Sequence, residues 1–256
     1  MKKLLKNIFK KFGFEISRIP DEKEMKNLSF DEIFKKIIKN NKPIIFDIGA
    51  NKGQSIERFL KVNNNAVIHS FEPNKDEFDL LKKKYNNNKN IKLNNIALGE
   101  KKSRKYFNIT EHSANSSFLE LNKDTNWIKL RSSQLNVDKE NYIKKKIEVD
   151  IETLDTYCNQ NLIEKIDIVK IDTQGYEEQI LIGCKEMIES QKIDALEIEI
   201  TFSSVYEKYV CFSDIEKYLV PNNYRLSGIR LHNNNLFSGA IFFADVLFLN
   251  KSKFNL

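Results

Sequence analysis

Cysteine, proline and glycine are all scarce, at three, four and eight residues among 256. The cysteines, Cys158, Cys184 and Cys211, are odd in number and far apart, with neither a CxxC pair nor a metal-ligand spacing. That pattern excludes a disulfide framework and a cysteine-held metal. It reads as reduced, mostly buried small hydrophobes in a cytosolic protein. The three histidines, His69, His112 and His232, form no HExxH-type signature, so no metal site is expected. No apolar run approaches the roughly 20 residues that a membrane span requires.

What is present is ordinary for a folded globular chain: 41% hydrophobic and 30% charged residues. At 30.1 kDa the chain holds one large domain, or a domain with an appendage, ample for a real core. Lys and Arg outnumber Asp and Glu by 42 to 36, a net charge of +6. The excess favours loose attraction to anionic surfaces and is too small to argue for nucleic acid by itself.

Residues 1–19 place Leu4, Leu5, Ile8, Phe9 and Phe12 at helical spacing, with Lys2, Lys3, Lys6, Lys10 and Lys11 opposite. Lysines interrupt this face too often for a signal peptide. Two placements suit such a basic amphipathic helix equally: peripheral contact with the inner face of an anionic membrane, or packing on the domain or on a homodimer mate. A second helix, Phe30 to Ile38 with Ser29 or Asp31 as cap, completes an N-terminal region of residues 1–42.

From Pro43 onward strands and helices alternate, the pattern of a mostly parallel, doubly wound α/β sheet over residues 43–256. Strands are expected at Ile44 to Ile48, Ala66 to Ser70, Ile91 to Leu98, Ile147 to Ile151, Ile166 to Asp172 and Ile193 to Ile200. Helices are expected from Ser55, from Asn74 to Tyr85, from Leu154, from Tyr176 to Gly183 and near Asp214 to Leu219. Two last strands, about Tyr224 to Ile229 and Ala240 to Leu249, suit an antiparallel C-terminal hairpin. Residues 100–146 are polar and poorly periodic apart from a strand at Tyr106 to Ile109. They read as an insertion over the ligand-binding edge, carrying His112, Asn115, Ser116, Ser117 and Trp127.

The stretch that organises the chain is Pro43 to Ser55, PIIFDIGANKGQS. A β-branched and aromatic run, broken only by Asp47, stops at a turn bracketed by Gly49 and Gly53 and hands over to a helix. Glycine there permits positive φ and close approach of a ligand to the backbone, and helix-start amides would point at that ligand. Glu72, in Phe71-Glu72-Pro73, lies 19 residues after Gly53, where an acid at the end of the next parallel strand can accept from a ribose diol. A dinucleotide fingerprint would need glycine where Asn51 and Gln54 stand, which disfavours NAD. S-adenosylmethionine, which has no pyrophosphate, fits better.

Five blocks in order make the chain resemble the FkbM family of S-adenosylmethionine-dependent methyltransferases. They are FDIGANKGQS ending at Ser55, SFEPN at Ser70 to Asn74, NIALGE at Asn95 to Glu100, ETLD at Glu152 to Asp155, and IDIVKIDTQGYEEQILIG at Ile166 to Gly183. ADVLFL, Ala244 to Leu249, resembles the family's last strand, so the likeness spans about residues 43–249. The resemblance implies a Rossmann-like class I methyltransferase fold and methyl transfer to a hydroxyl oxygen, commonly on a sugar, glycan or secondary metabolite, leaving S-adenosylhomocysteine. It implies that Asp47, Gly49, Asn51, Gly53 and Ser55 line the methionine end and ribose, that Glu72 and Pro73 meet the ribose, that Asn95 and Ala97 approach the adenine, and that Asp172 ends a strand beside the transferred methyl. A cytosolic enzyme of surface-glycan or natural-product assembly is expected on that basis.

An alcohol is a poor nucleophile until it loses its proton, so the site needs a base. Asp172 ranks first, at the carboxyl end of a central strand; its competing role is to cap the next helix. Glu177 follows, with helix-dipole complementarity as its competing role. Glu197 and Glu199 share one side of their strand, with a solvated edge expected for at least one. His112 stands in a polar loop suited to sugar hydroxyls, and His232 is fainter. Lys52 and Lys170 read as ordinary charges, although a lysine near the site suits an anionic acceptor. Two rivals remain open: an RNA methyltransferase, ranked low because Asp172-Thr173-Gln174-Gly175 lacks the paired prolines of amino-directed enzymes, and a non-catalytic cofactor-binding partner.

Overall fold

The structure, a computed structural model, describes residues 28–202, 204–208, 210–232 and 241–254. The basic amphipathic stretch of residues 1–19 lies outside them. Helix α1 (Phe30–Ile37) begins at Ser29, whose Oγ accepts from the Glu32 amide while Glu32 answers the Ser29 amide, a closed capping box. Asp31 is not the cap.

Seven strands form the main sheet in the order β3-β2-β1-β7-β8-β10-β9. They are β1 (Ile44–Ile48), β2 (Val67–Phe71), β3 (Ile91–Asn94), β7 (Ile166–Ile171), β8 (Ile193–Thr201), β9 (Tyr224–Leu231) and β10 (Phe243–Asn250). β1, β2, β3, β7 and β8 run parallel, whereas β10 is antiparallel to β8 and β9. The sheet is covered on both faces, which is why its central strands read as nearly continuous apolar runs. One face carries Ile45, Ile68, Ile168 and Ala195 under α1, α2 (Gln54–Val62) and α3 (Lys75–Tyr85). The other carries Phe46, Phe71, Val169 and Leu196 under α5 (Leu154–Gln160), α6 (Glu177–Ile182), α7 (Lys185–Glu189) and α8 (Phe212–Leu219). Burying one such side chain contributes about 1.5–3 kcal/mol. His69 belongs to this packing, stacked on Phe46 with ring centroids 5.1 Å apart and its Nδ1 2.9 Å from Tyr157 Oη.

Three expectations need correction. The run Ile91 to Leu98 is two strands: β3 stays in the main sheet, and β4 (Ala97–Leu98) joins β6 (Ile143–Glu152) and β5 (Ser103–Thr110) in a second sheet. The break falls at Asn95, whose side-chain Nδ2 donates to the carbonyls of Glu72 (2.9 Å) and Pro73 (3.2 Å) and so draws the chain out of the ladder. The short strand at Ile147 to Ile151 is the ten-residue β6, paired along its length with β5. The insertion of residues 100–146 holds more regular structure than the one strand expected at Tyr106 to Ile109: half a sheet, a 3₁₀ turn at Ser113–Asn115 and a helix, α4 (Asn126–Leu135).

Candidate active site

The main sheet reverses strand order between β1 and β7, and open α/β sheets bind ligands outside the carboxyl ends of their strands at such a point. Two turns meet there. Gly49, at φ +87°, leaves β1 so close to β7 that a Cβ on it would lie 1.9 Å from the Asp172 carbonyl oxygen. Its amide and that of Ala50 both donate to the Phe71 carbonyl, at 3.1 Å. The Asn51 amide donates to Glu72 Oε2 at 2.7 Å and the Asn74 amide to Oε1 at 2.8 Å, so Glu72 ties the β1 turn to the end of β2. Burial pushes the Glu72 carboxyl up to about 7 despite those two donors. Gly53 then starts α2 with no side-chain cap, leaving the first helical amides to whatever occupies the cleft.

The β7 turn is built from side chains. Lys170, 6% exposed, donates from Nζ to Asp172 Oδ2 at 2.8 Å. Burial acts to lower the lysine, and Asp172, Asp47 and Glu197 overcome it, so the ammonium stays charged. Burial likewise works against the Asp172 carboxylate, and Lys170 outweighs it, holding that group below its usual range. Gln174 donates from Nε2 to Asp172 Oδ1 at 3.2 Å and also to Glu199 Oε2. Glu199 has the opposite fate: burial, then Asp172, Glu177 and Asp245, push it well above the ordinary carboxylate value.

The second sheet supplies a roof. Tyr142 Oη donates to Asn115 Oδ1 at 2.9 Å, and Tyr206 Oη lies 3.1 Å from both the Asn115 carbonyl and Gln174 Oε1. Asn51 Nδ2 donates to Ser113 Oγ at 3.4 Å, joining the roof to the glycine turn. Burial, then Arg131 and Lys52, lower the His112 pKa, so its imidazole is neutral near pH 7.

Between floor and roof lies one cavity of about 370 Å³. Of the residues singled out from sequence, Gly49, Asn51, Ser55, Glu72, Pro73, Ala97, His112, Asp172 and Glu199 line it. Asp47, Lys52, Gly53, Asn95, Glu177, Glu197 and His232 do not. Asp47 is fully buried beside Lys170, with no hydrogen-bond partner for either carboxylate oxygen. Glu177 Oε1 accepts from the Thr173 amide and hydroxyl and from the Gly175 amide, at 3.0–3.1 Å, so it closes the turn from beneath. Neither Glu197 nor Glu199 stands at a solvated edge, because β8 lies inside the sheet. Lys170 is no surface charge either; its burial follows from β7 being central. Sequence reasoning missed Gln174, Tyr206 and Arg131; only the position of Gln174 beside Asp172 offered a signal.

Glu199, His232 and Asp245 each bring a ligand atom within 4.8 Å of the others, a spacing that suits a divalent ion. His232 Nε2 and the Arg230 guanidinium already occupy Asp245 Oδ2, at 2.7 and 2.6 Å, and that guanidinium would repel a cation.

With this geometry in place, the comparison that decides the family is a match of the methyltransferase FkbM domain to residues 47–226. The chain belongs to the FkbM methyltransferase family. This FkbM-family chain is similar to 2-O-methyltransferase NoeI of Sinorhizobium fredii (strain NBRC 101917 / NGR234), at 24% identity over 148 residues. The match covers 57% of this chain and 59% of that relative, so the chain spans less than two thirds of the relative's length. The crystal structure of methyltransferase FkbM from Methylobacillus flagellatus KT is similar at a TM-score of 0.50 and 15% identity, over 84% of this chain and 45% of that one. That likeness concerns fold: the FkbM-family sheet is the mostly parallel, antiparallel-ended sheet of class I methyltransferases.

Proposed function

We propose that the chain takes its methyl group from S-adenosylmethionine and transfers it to a hydroxyl oxygen of a sugar, glycan or related metabolite. The observation that carries this reading is that the Glu72–glycine-turn end and the Asp172–Gln174–Glu199 end share one cavity. The residues fit the donor. Glu72 spends one acceptor direction per oxygen on a backbone amide and keeps the rest for ribose hydroxyls. The uncapped start of α2, with Gln54 and Ser55 on the cavity wall, suits the donor's carboxylate, and Phe71, Ala97 and Leu98 offer an apolar wall for its base. Bound there, the donor supplies an electrophilic methyl carbon on a sulfonium, open to in-line displacement.

The protein's share is to align an acceptor hydroxyl and take its proton. Asp172, held ionised by Lys170, is a weak base and a good hydrogen-bond acceptor for orienting the hydroxyl. Glu199, surrounded by acids, is the stronger base whenever it is ionised, and Gln174 couples the two. Neutral His112 with Asn115 and Ser116 on the wall suits further hydroxyls. The relative's name as a 2-O-methyltransferase supports oxygen as the accepting atom. The three unpaired cysteines suit a reducing compartment such as the cytoplasm, and among the described residues no helix is long and apolar enough to cross a membrane.

The test is S-adenosylhomocysteine release over a panel of sugars, nucleotide sugars, glycans and RNA, with calorimetric titration of the donor. Sugar-dependent release is expected. Donor binding with no turnover on any acceptor, or turnover on RNA alone, would overturn the reading.

A further inference from the structure

The cavity wall holds two permanent cations, Lys170 and Arg131, and they differ in what they face. Lys170 is committed to Asp172. Arg131, half-buried on α4, donates from Nη1 to Gln134 Oε1 at 3.1 Å, a neutral amide. Among the described residues no carboxylate pairs with it, nor with the exposed Arg225, whereas Arg58, Arg104 and Arg230 each rest on one. The helix beneath it is fixed: Trp127 and Ile128 are buried, and Trp127 packs edge-on to Tyr142, which in turn anchors Asn115 of the roof. The guanidinium is thus held beside the turn that carries His112. Lys52, exposed on the glycine turn, stands off the cavity wall, and its charge and that of Arg131 both act on His112. Arg131 therefore stands on the roof of the cavity, whereas the acids Asp172 and Glu199 stand on the main sheet below it.

We propose that Arg131, with His112 on the same cavity wall, forms an anion-binding subsite that holds a phosphate or carboxylate carried by the methyl acceptor. In the reading above, the donor's own carboxylate goes to the uncapped start of α2 instead. A guanidinium presents paired N–H groups in a plane, matching either oxyanion through two parallel hydrogen bonds. The acceptor class is therefore a sugar bearing a phosphate or an acid group, oriented with its anion at Arg131 and its hydroxyl toward Asp172 and Glu199. This inference rests on the sugar O-methyltransferase reading above, and its test does not require turnover.

Protein saturated with S-adenosylhomocysteine is titrated calorimetrically with glucose 1-phosphate, glucuronate and glucose. At least one charged probe should bind about tenfold or more tighter than glucose, and the ranking of the two identifies phosphate or carboxylate as the source. Arg131→Gln should remove that advantage, Arg131→Lys should keep part of it, and S-adenosylhomocysteine affinity should be unchanged in both, which also verifies folding. Equal binding of the three probes, no charged-probe binding, or an Arg131→Gln protein that binds them undiminished would overturn the proposal. So would a loss confined to S-adenosylhomocysteine, which would assign Arg131 to the donor's carboxylate. Charged-probe binding at Arg131 without methyl transfer to any hydroxylated acceptor would instead sink the sugar-methylation reading and leave the subsite standing.

Discussion

Glu197 and Glu199 sit two residues apart on the same face of β8, yet their surroundings are opposite. Glu197 is completely buried; its Oε1 accepts from Arg58 Nη1 and Arg230 Nη2, both at 2.8 Å, and its Oε2 from Arg58 Nη2. Glu199, one pleat nearer the cleft, accepts from the neutral Gln174 amide, and around it the charges of Asp172, Glu177 and Asp245 outweigh that of Lys170. A carboxylate matched by cations holds structure together: Glu197 ties α2, which the glycine turn launches, to the antiparallel edge. A carboxylate left among acids carries a proton affinity that the fold does not need and that chemistry can use.

The largest expected effect breaks the structural half of this pair. Glu197→Gln should lose about 3 kcal/mol of stability, the low end for a broken buried pair, because Arg58 and Arg230 lose their shared buried carboxylate and keep only Asp31 and Asp245. Urea unfolding measures it, and a loss below about 1 kcal/mol would mean that the arginines re-pair elsewhere. The converse substitution, Glu199→Gln, should leave the unfolding midpoint unchanged or raised, since it relieves repulsion. It should lower turnover about 10²-fold or more with donor affinity intact. If Asp172→Asn proves the more damaging to turnover, the roles assigned to the two acids are exchanged.

How much of this could be read from the chain depends on how far apart the partners lie. Gly49, Glu72 and Asp172 were legible because a strand–turn–helix unit is local, and its ligand-facing end follows from strand direction. Glu197 was not, since Arg58 lies 139 residues away and nothing along the chain marks the pairing. Its burial also depends on β10 covering what would otherwise be an edge. The second sheet hid for another reason. Its strands are half-exposed, with Tyr106 68% accessible and a run of three lysines in β6, so its alternation looks like loop polarity. Asn95 shows a third limit: the apolar pattern continues through it, and a single side chain bonding backward diverts the chain into a different sheet.

Glu72 sharpens the comparison with an intermediate case, a buried carboxylate held by two backbone amides and no cation. Glu72→Gln should weaken donor binding roughly tenfold, the value of about one hydrogen bond to a charged group. Because burial pushes its pKa to about 7, donor affinity should fall as the pH drops below 7 in the wild type and stay flat there in the variant. Titration calorimetry between pH 5.5 and 8 reads both, and parallel curves would remove Glu72 from donor binding.

The smallest expected effect concerns the rim of the same charge cluster. Asp245 shares Arg230 with Glu197, but its other partner, His232, titrates. Burial pushes the Asp245 carboxyl up, and the hydrogen bonds and charges of His232 and Arg230 reverse that, bringing it to about 2. A depressed acid adds stability that is present above its unfolded pKa near 3.8 and is lost as the pH falls from about 4 toward 2. His232 runs the other way: the Asp245 hydrogen bond raises its pKa, outweighing burial, so its contribution is complete below 6.5 and fades as the pH rises past the raised value. The pair therefore stabilises the fold most between about pH 4 and 6.5. Both partners of Asp245 are nearly half exposed, so screening leaves about 1–2 kcal/mol of acid-side loss rather than the full shift. Urea midpoints at pH 2.5, 5 and 8 should trace that maximum in the wild type, and Asp245→Asn should flatten both limbs. Curves of the same shape in the two proteins would show that the rim pair contributes nothing, leaving Glu197 as the sole anchor of Arg230.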